Sequence, residues 1–124
     1  MKLLLDEHLP KAVAGALRRY HPGADAQNIA DWERGGWLGE EDPVLLEGLW
    51  EDKRILASYD RATLPGHLAE RVGQGKDHAG VIFIDQERFP PVQVGKMARA
   101  LAKLLTACPT PRHWINRIVT LTTD

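Results

Sequence analysis

Three aspartates stand at points of the chain where their side chains could meet and carry out chemistry. Asp6 and Asp60 each follow a short apolar run, and Asp42 precedes Pro43 where a helical pattern starts. Carboxylates gathered in one pocket repel one another and cannot all stay ionised unless a cation joins them. Mg²⁺ or Mn²⁺ is the natural partner, because both are hard ions that take oxygen ligands. A phosphodiesterase uses such an ion to activate water and to neutralise a phosphate.

Each aspartate also has a structural interpretation that needs no metal. An aspartate in the position of Asp42 is a common helix N-cap. Asp60 could cap the helix that follows it, and Asp6 could be a solvated turn residue. The residues alone leave these alternatives open for each aspartate.

Alternating strands and helices are expected to position these aspartates. Residues 3–5 form an unbroken apolar run, which is typical of a strand buried on both faces. Such alternation predicts parallel β-α-β units and a three-layer α/β/α sandwich with a mainly parallel sheet of four to five strands. Ligands of such sheets bind beyond the carboxyl ends of the strands, where Asp6 and Asp60 stand. The predicted strands are 3–5, 24–29, 55–58, 80–85 and 116–122, and the last lies at an edge. The predicted helices are 10–20, a second that opens at Asp42, a third at 64–72, and a fourth that starts at Pro90-Pro91. In the first of these helices, Tyr20 falls on the buried face.

Length and composition fit an ordinary globular protein. The chain has 124 residues and a formal net charge of −1, so we expect a single domain spanning 1–124 without the bulk basic character common in nucleic-acid binders. The single cysteine, Cys108, excludes an internal disulfide and a cysteine-rich zinc site. No apolar run is long enough for a signal peptide or a membrane span, which predicts a cytoplasmic protein without a membrane partner.

Around the aspartates the chain resembles the PIN-like superfamily, and in particular a small stand-alone PIN-like group related to toxin–antitoxin nucleases. Residues 2–10, KLLLDEHLP, are similar to that group's opening strand and acidic turn. Residues 42–46 and 54–60 are similar to its central acid, helix, strand and hydroxyl-x-Asp corner, and residues 78–82 to its fourth strand. The resemblance implies a PIN-type fold that cleaves single-stranded RNA with Mg²⁺ or Mn²⁺. It leaves a small antitoxin protein and a second copy of the chain open as partners.

The resemblance also implies roles for individual residues. Asp6, Asp42 and Asp60 would be the catalytic metal ligands; Glu7 lies outside the motif and is a further candidate ligand. Ser58 would orient Asp60 or a metal-bound water.

Arg61 and His8 are candidates for contact with nucleic acid. Arg61 follows Asp60 directly and could contact a phosphate, although a surface ion pair explains it equally well. His8 lies next to the acidic turn, where the alternative is an ordinary turn residue.

The chain departs from the group's pattern after the third acid. The group commonly has a second aspartate and an aromatic there, and asparagine in the place of His8, whereas here Asp60 is followed by Arg-Ala-Thr-Leu. Glu7, Glu41 and Asp85 are candidates to substitute, but none matches the motif position. A catalytically silent PIN-like binding protein is therefore the main alternative function.

A receiver-like phosphoacceptor domain is the other alternative, with Asp60 as acceptor. Receivers have a Ser or Thr after the fourth strand and a Lys after the fifth. Here Asp85-Gln86 follows the fourth predicted strand, and no lysine follows residue 103.

Two further groups of residues have competing interpretations. Trp32 and Trp37 lie in a predicted loop and could stack bases, although two large apolar rings more often pin a loop down. Lys96, Arg99 and Lys103 form one stripe on the last predicted helix, which is more typical of a solvated face than of an RNA track.

Overall fold

The computed structural model describes residues 1–123, which form alternating strands and helices. The strands are β1 (Lys2–Leu5), β2 (Asp25–Asn28), β3 (Arg54–Ser58), β4 (Val81–Phe83) and β5 (Ile118–Thr120); the helices are α1 (Ala12–Tyr20), α2 (Asp42–Asp52), α3 (Leu64–Gly73) and α4 (Val94–Ala107). Within this part of the chain, no helix combines the length and the apolar character needed to cross a bilayer.

The five strands pair in one parallel sheet with the order β2-β1-β3-β4-β5. β3 lies at its centre and β1 lies next to it, where Leu3 is in register with Ala26 of β2 on one side and with Ile55 of β3 on the other. A five-stranded parallel sheet with four helices confirms the predicted α/β sandwich. β5 lies at an edge, as predicted.

Helices cover both faces of the sheet. Alternate residues of β1 enter different cores: Leu3 and Leu5 pack in the core under α1 and α4, and Leu4 packs in the core under α2 and α3. The unbroken apolar run of β1 is therefore explained, because both faces of the strand are buried.

Two details of the predicted helices are wrong. α4 begins at Val94 rather than at Pro90-Pro91, because residues 89–93 form turns in which the Phe89 N–H bonds to Asp85 O and the Gln93 N–H to Pro90 O. Tyr20 is 50% exposed rather than buried. It is the last residue of α1, and its hydroxyl meets the Arg99 guanidinium on α4 instead of the core.

A buried arginine joins the amino ends of β1, β2 and β3. Arg54, at the start of β3, is 3% exposed. It donates to Leu3 O at 3.2 Å, to Asp25 O at 2.8 Å, and to the carboxylates of Asp25 at 2.9 Å and Asp52 at 2.8 Å. Lys2 reaches the same Asp52 carboxylate at 2.9 Å. Charge-assisted bonds therefore tie β1, β2 and β3 together at this end of the sheet.

Candidate functional site

A cleft of about 630 Å³ opens at the carboxyl end of the sheet, and all three predicted aspartates line it. It lies where β1 and β3 end. The chain leaves β1 towards β2 on one side and leaves β3 towards β4 on the other, so the cleft is at the topological switch point of the sheet. The lining consists of Asp6, Glu7, His8, Ile29, Gly39, Glu40, Asp42, Leu45, Tyr59, Asp60 and Gln86.

The buried hydroxyl of Ser58 joins the two strand-end aspartates. Ser58 Oγ donates to Asp6 Oδ2 at 2.8 Å and accepts the backbone N–H of Asp60 at 2.9 Å. Asp6 Oδ1 accepts the Glu7 N–H at 2.8 Å, so both of its oxygens are held. The carboxylate that Ser58 orients is that of Asp6, and it meets Asp60 only at the backbone, whereas its role towards a metal-bound water stays a prediction.

Asp60 shapes the turn that leads into α3. Its Oδ1 accepts the N–H groups of Ala62 and Thr63, each at 3.0 Å, and its Oδ2 accepts the Thr63 hydroxyl. The Thr63 hydroxyl and N–H are the main reasons why the pKa of Asp60 lies below its ordinary value. The N-cap position of α3 belongs to Thr63, so Asp60 holds the turn before the helix, and this carboxylate already has hydrogen bonds to both oxygens.

Asp42 has a different environment from the other two. It is the first residue of α2, the N-cap position belongs to Glu41, and no side-chain capping bond is made there. The N-cap alternative for Asp42 is therefore wrong. Burial raises the pKa of Asp42, the charges of Asp60 and Asp6 raise it further, and His67, whose Nε2 lies 3.8 Å from Asp42 Oδ2, acts in the opposite direction.

The donor set has the chemistry of a hard-cation site but not the geometry of a three-aspartate cage. Across residues 1–123, no three Asp, Glu, His or Cys side chains are grouped closely enough to hold a metal ion. The expected set of three direct ligands is thus not formed. Oxygen ligands of one or two carboxylates, completed by water, are the arrangement that Mg²⁺ commonly accepts.

Of the other candidate residues, some line the cleft and others do not. Glu7 and His8 line the cleft, and the His8 side chain is 75% exposed, with its Nε2 3.9 Å from a Glu7 oxygen. Arg61 is exposed, but in the described chain it does not belong to the lining. Glu41 and Asp85, the residues considered as substitutes for the absent second aspartate, do not belong to the described lining either.

The two loop tryptophans pin their loop to α2. Trp32 is 4% exposed, and its ring stacks on that of Trp37 with 5.2 Å between centroids. Trp37 in turn lies against Gly48, where even a Cβ would come within 2.4 Å of the ring. These rings form part of the packing, and neither of them lines the cleft.

Sequence reasoning missed four residues of this region: Glu40, Tyr59, His67 and Gln86. Gln86 follows the end of β4, so the strand-end rule that selected Asp6 and Asp60 could have selected it as well. No sequence pattern around His67 marks it as a site residue, because only the packing of α3 beside α2 brings it to Asp42.

Comparison of this chain with protein-family models, with curated proteins and with solved structures finds no match.

Proposed function

We propose that this chain is an endoribonuclease of PIN-like type that depends on Mg²⁺ or Mn²⁺ and acts at the cleft between β1 and β3. The observation that carries the proposal is the position of Asp6, Asp42 and Asp60 in one cleft at the switch point of a parallel sheet. The resemblance of residues 2–10 and 42–60 to the PIN-like group supplies the reaction class.

The electrostatics of the cleft support a cation there. The charges of Asp6 and Asp60 oppose ionisation of Asp42, and a bound cation would reverse that effect. An RNA phosphate would also be repelled by these acids unless a cation lay between them. A divalent ion, when bound, supplies Lewis acidity and a more acidic water.

The residues of the chain prepare the site before any ligand arrives. Ser58 fixes Asp6, and the turn at Thr63 fixes Asp60, so neither carboxylate has to be ordered on binding. Asp42 has no comparable hydrogen bond and adjoins His67. It is the carboxylate best able to change its contacts when a cation enters.

Cleavage of an unstructured, end-labelled RNA tests the proposal. The wild-type chain should cleave it with Mn²⁺ and not in EDTA. Asp6→Asn and Asp42→Asn should each lower the rate by at least about 100-fold, because each removes charge from the centre of the cleft. Glu51→Gln, which removes one exposed carboxylate at the other end of α2, is the matched control and should cleave like the wild type.

Unchanged cleavage in both aspartate variants would refute the site, and unchanged Mn²⁺ affinity in both would refute the metal. RNA binding without cleavage would favour the catalytically silent binding protein. That second candidate draws on the lack of a three-ligand group in residues 1–123. If the chain is the toxin of a toxin–antitoxin pair in the cytoplasm, a small antitoxin protein should suppress the cleavage.

The receiver-like alternative gains one observation from the fold, since 2-1-3-4-5 is also the strand order of flavodoxin-like sheets. The contacts of Asp60 oppose it. Its oxygens already accept bonds from Ala62 and Thr63, which competes with attack on a phosphodonor. Failure of a small phosphodonor to label Asp60 would exclude this alternative.

A further inference from the structure

The two helical layers of the sandwich carry opposite charge. α1 and α4, which pack together on one face of the sheet, contain five basic residues and no Asp or Glu. α2 and α3, on the other face, contain five acidic residues and one arginine. The net charge of −1 hides this separation. The basic residues are Arg18, Arg19, Lys96, Arg99 and Lys103.

The cations of α4 stand on one side of the helix. Lys96, Arg99 and Lys103 are spaced by three and four residues, so their side chains are neighbours on one face. Like charges at this spacing destabilise a helix, and an ordinary solvated face mixes both signs. Over residues 1–123, none of the three has a carboxylate within the 4.0 Å of an ion pair. Lys96 Nζ donates to Arg88 O at 2.6 Å, so the exposed side chains of Arg99 and Lys103 carry most of the attraction of the stripe for an external anion.

An exposed aromatic ring lies beside this stripe. Arg99 Nη1 donates to the Tyr20 hydroxyl at 3.3 Å, and its Cζ lies 5.9 Å from the centre of the Tyr20 ring. Aromatic rings and arginine planes are the surfaces on which single-stranded bases stack. Arg19 is exposed next to Tyr20, whereas Arg18 donates to Ala26 O and so belongs to the fold.

We propose that this basic face, formed by Arg19, Tyr20, Lys96, Arg99 and Lys103, binds the phosphate backbone of single-stranded RNA. The choice of RNA rests on the proposed function. An acidic protein fits less well, because Tyr20 is the one large hydrophobic side chain that α1 and α4 expose in the described chain. A protein interface commonly needs a larger apolar centre.

The position of α4 relates this face to the cleft. In a parallel β-α-β unit the helix runs back from the carboxyl edge of the sheet, so Lys96, in its first turn, lies towards the edge where Gln86 lines the cleft. The acidic cleft cannot itself supply affinity for a polyanion. A separate basic face can hold the RNA while the cleft acts on it.

Binding of a labelled oligouridylate in EDTA tests the basic face without cleavage. The probe has about 20 nucleotides, and affinity is measured between about 50 and 200 mM KCl. The double variant Arg99→Gln/Lys103→Gln should bind at least about tenfold more weakly, and the slope of log K against log salt should fall by about 1.4, because each lost contact with a single strand contributes about 0.7. Lys53→Gln/Lys76→Gln removes two exposed lysines elsewhere and should leave both quantities unchanged.

Three results would overturn the inference: no binding by the wild type, equal losses in the two double variants, or equally tight binding of polyglutamate. Its failure is distinguishable from failure of the proposed function. Binding that depends on Arg99 and Lys103 without any cleavage would retain the basic face and refute the nuclease. Cleavage that is unaffected in that variant would retain the nuclease and refute the basic face.

Discussion

Three aspartates that look alike in the sequence have unlike environments. Asp6 is held by Ser58 and by the Glu7 N–H, and Asp60 is held by the turn into α3. Asp42 is partly buried, faces both other charges and has no hydrogen bond of this kind. The strand-end rule selects Asp6 and Asp60, yet the environment of Asp42 is the one that a structural role explains least.

The pKa of Asp42 offers a direct test of this coupling. Because burial and then the Asp60 and Asp6 charges raise it, we expect its pKa to lie above 3.8 and to fall when Asp60→Asn or Asp6→Asn removes a neighbour. Carboxyl NMR titration measures it, and Glu51→Gln is the control that should not change it. The sign for stability follows: an acid with a raised folded pKa destabilises the fold as pH rises from 3.8 through that pKa. An Asp42 pKa that stays unchanged in both Asp60→Asn and Asp6→Asn would show that the carboxylates are not coupled.

The hydrogen bonds that Asp60 accepts in the turn before α3 give a second residue-scale prediction. Asp60→Ala removes the acceptor for the N–H groups of Ala62 and Thr63, and should lower the free energy of unfolding by about 1 kcal/mol. Asp60→Asn keeps an amide oxygen in that place and should lower it by less. Urea denaturation at pH 7 measures both. Equal losses in the two variants would mean that the carboxylate charge, rather than the hydrogen bonds from Ala62 and Thr63, stabilises this turn.

At the scale of elements, Arg54 connects β1, β2 and β3 at the amino end of the sheet. Its hydrogen bond to Asp25 is the main reason why the pKa of that carboxyl is lowered. The stability gained from this pair is present above pH 3.8 and is lost as pH falls through the lowered pKa.

Arg54→Met should therefore destabilise the sheet strongly. We expect a loss of about 2–4 kcal/mol at pH 7, because Leu3 O, Asp25 O and the carboxylates of Asp25 and Asp52 each lose one donor. The difference from the wild type should shrink below about pH 3.8, as Asp25 is protonated. Lys2→Met is the control, since it breaks an exposed pair with Asp52 and should cost under about 1 kcal/mol. Urea denaturation at pH 7 and below about pH 3.8 measures these losses. Equal losses of stability in Arg54→Met and Lys2→Met would contradict this expectation.

The elements themselves could be predicted well from local patterns. The apolar runs of β1 and β3 and the helical spacing in α2 and α3 identify these elements, because burial of an apolar face dictates their composition. The start of α4 could not be predicted from Pro90-Pro91, since the choice between a turn and a first helical turn depends on Phe89 entering the core. The hydrogen-bond partners of Arg54 could not be predicted either, because they come from β1, β2 and the end of α2.

At the scale of the whole molecule, two hydrophobic cores share one sheet. Trp114 is fully buried in the core under α1 and α4, and Trp32 is buried in the core under α2 and α3. Because β1 contributes residues to both cores, neither can be lost without disrupting the other.

We therefore expect one cooperative unfolding transition. Tryptophan fluorescence is measured on two variants, one keeping only Trp32 and the other only Trp114 of the four tryptophans, so that each reports on one core. It should change at the same urea concentration as far-UV circular dichroism of the same variant. This result would support one domain spanning 1–124. Fluorescence and circular dichroism midpoints that differ within one variant would instead reveal two independently unfolding layers.

The location of the site could be predicted from the sequence, but its detail could not. The strand-end rule brings Asp6 and Asp60 to one edge, and the helix start brings Asp42 there. Which carboxylate is satisfied by hydrogen bonds depends on side-chain directions in the turns, and the approach of His67 depends on how α2 and α3 pack. The opposite charges of the helical layers could be counted only once the helices were assigned to faces.

The most direct test of the central claim is paramagnetic broadening of backbone amide NMR signals by Mn²⁺. A cation held in the cleft predicts that broadening begins at the amides of residues 6–8, 42 and 60, and that Asp42→Asn weakens it while Glu51→Gln does not. Broadening centred elsewhere, or an absence of selective broadening at millimolar-order Mn²⁺, would contradict a metal-dependent site between β1 and β3.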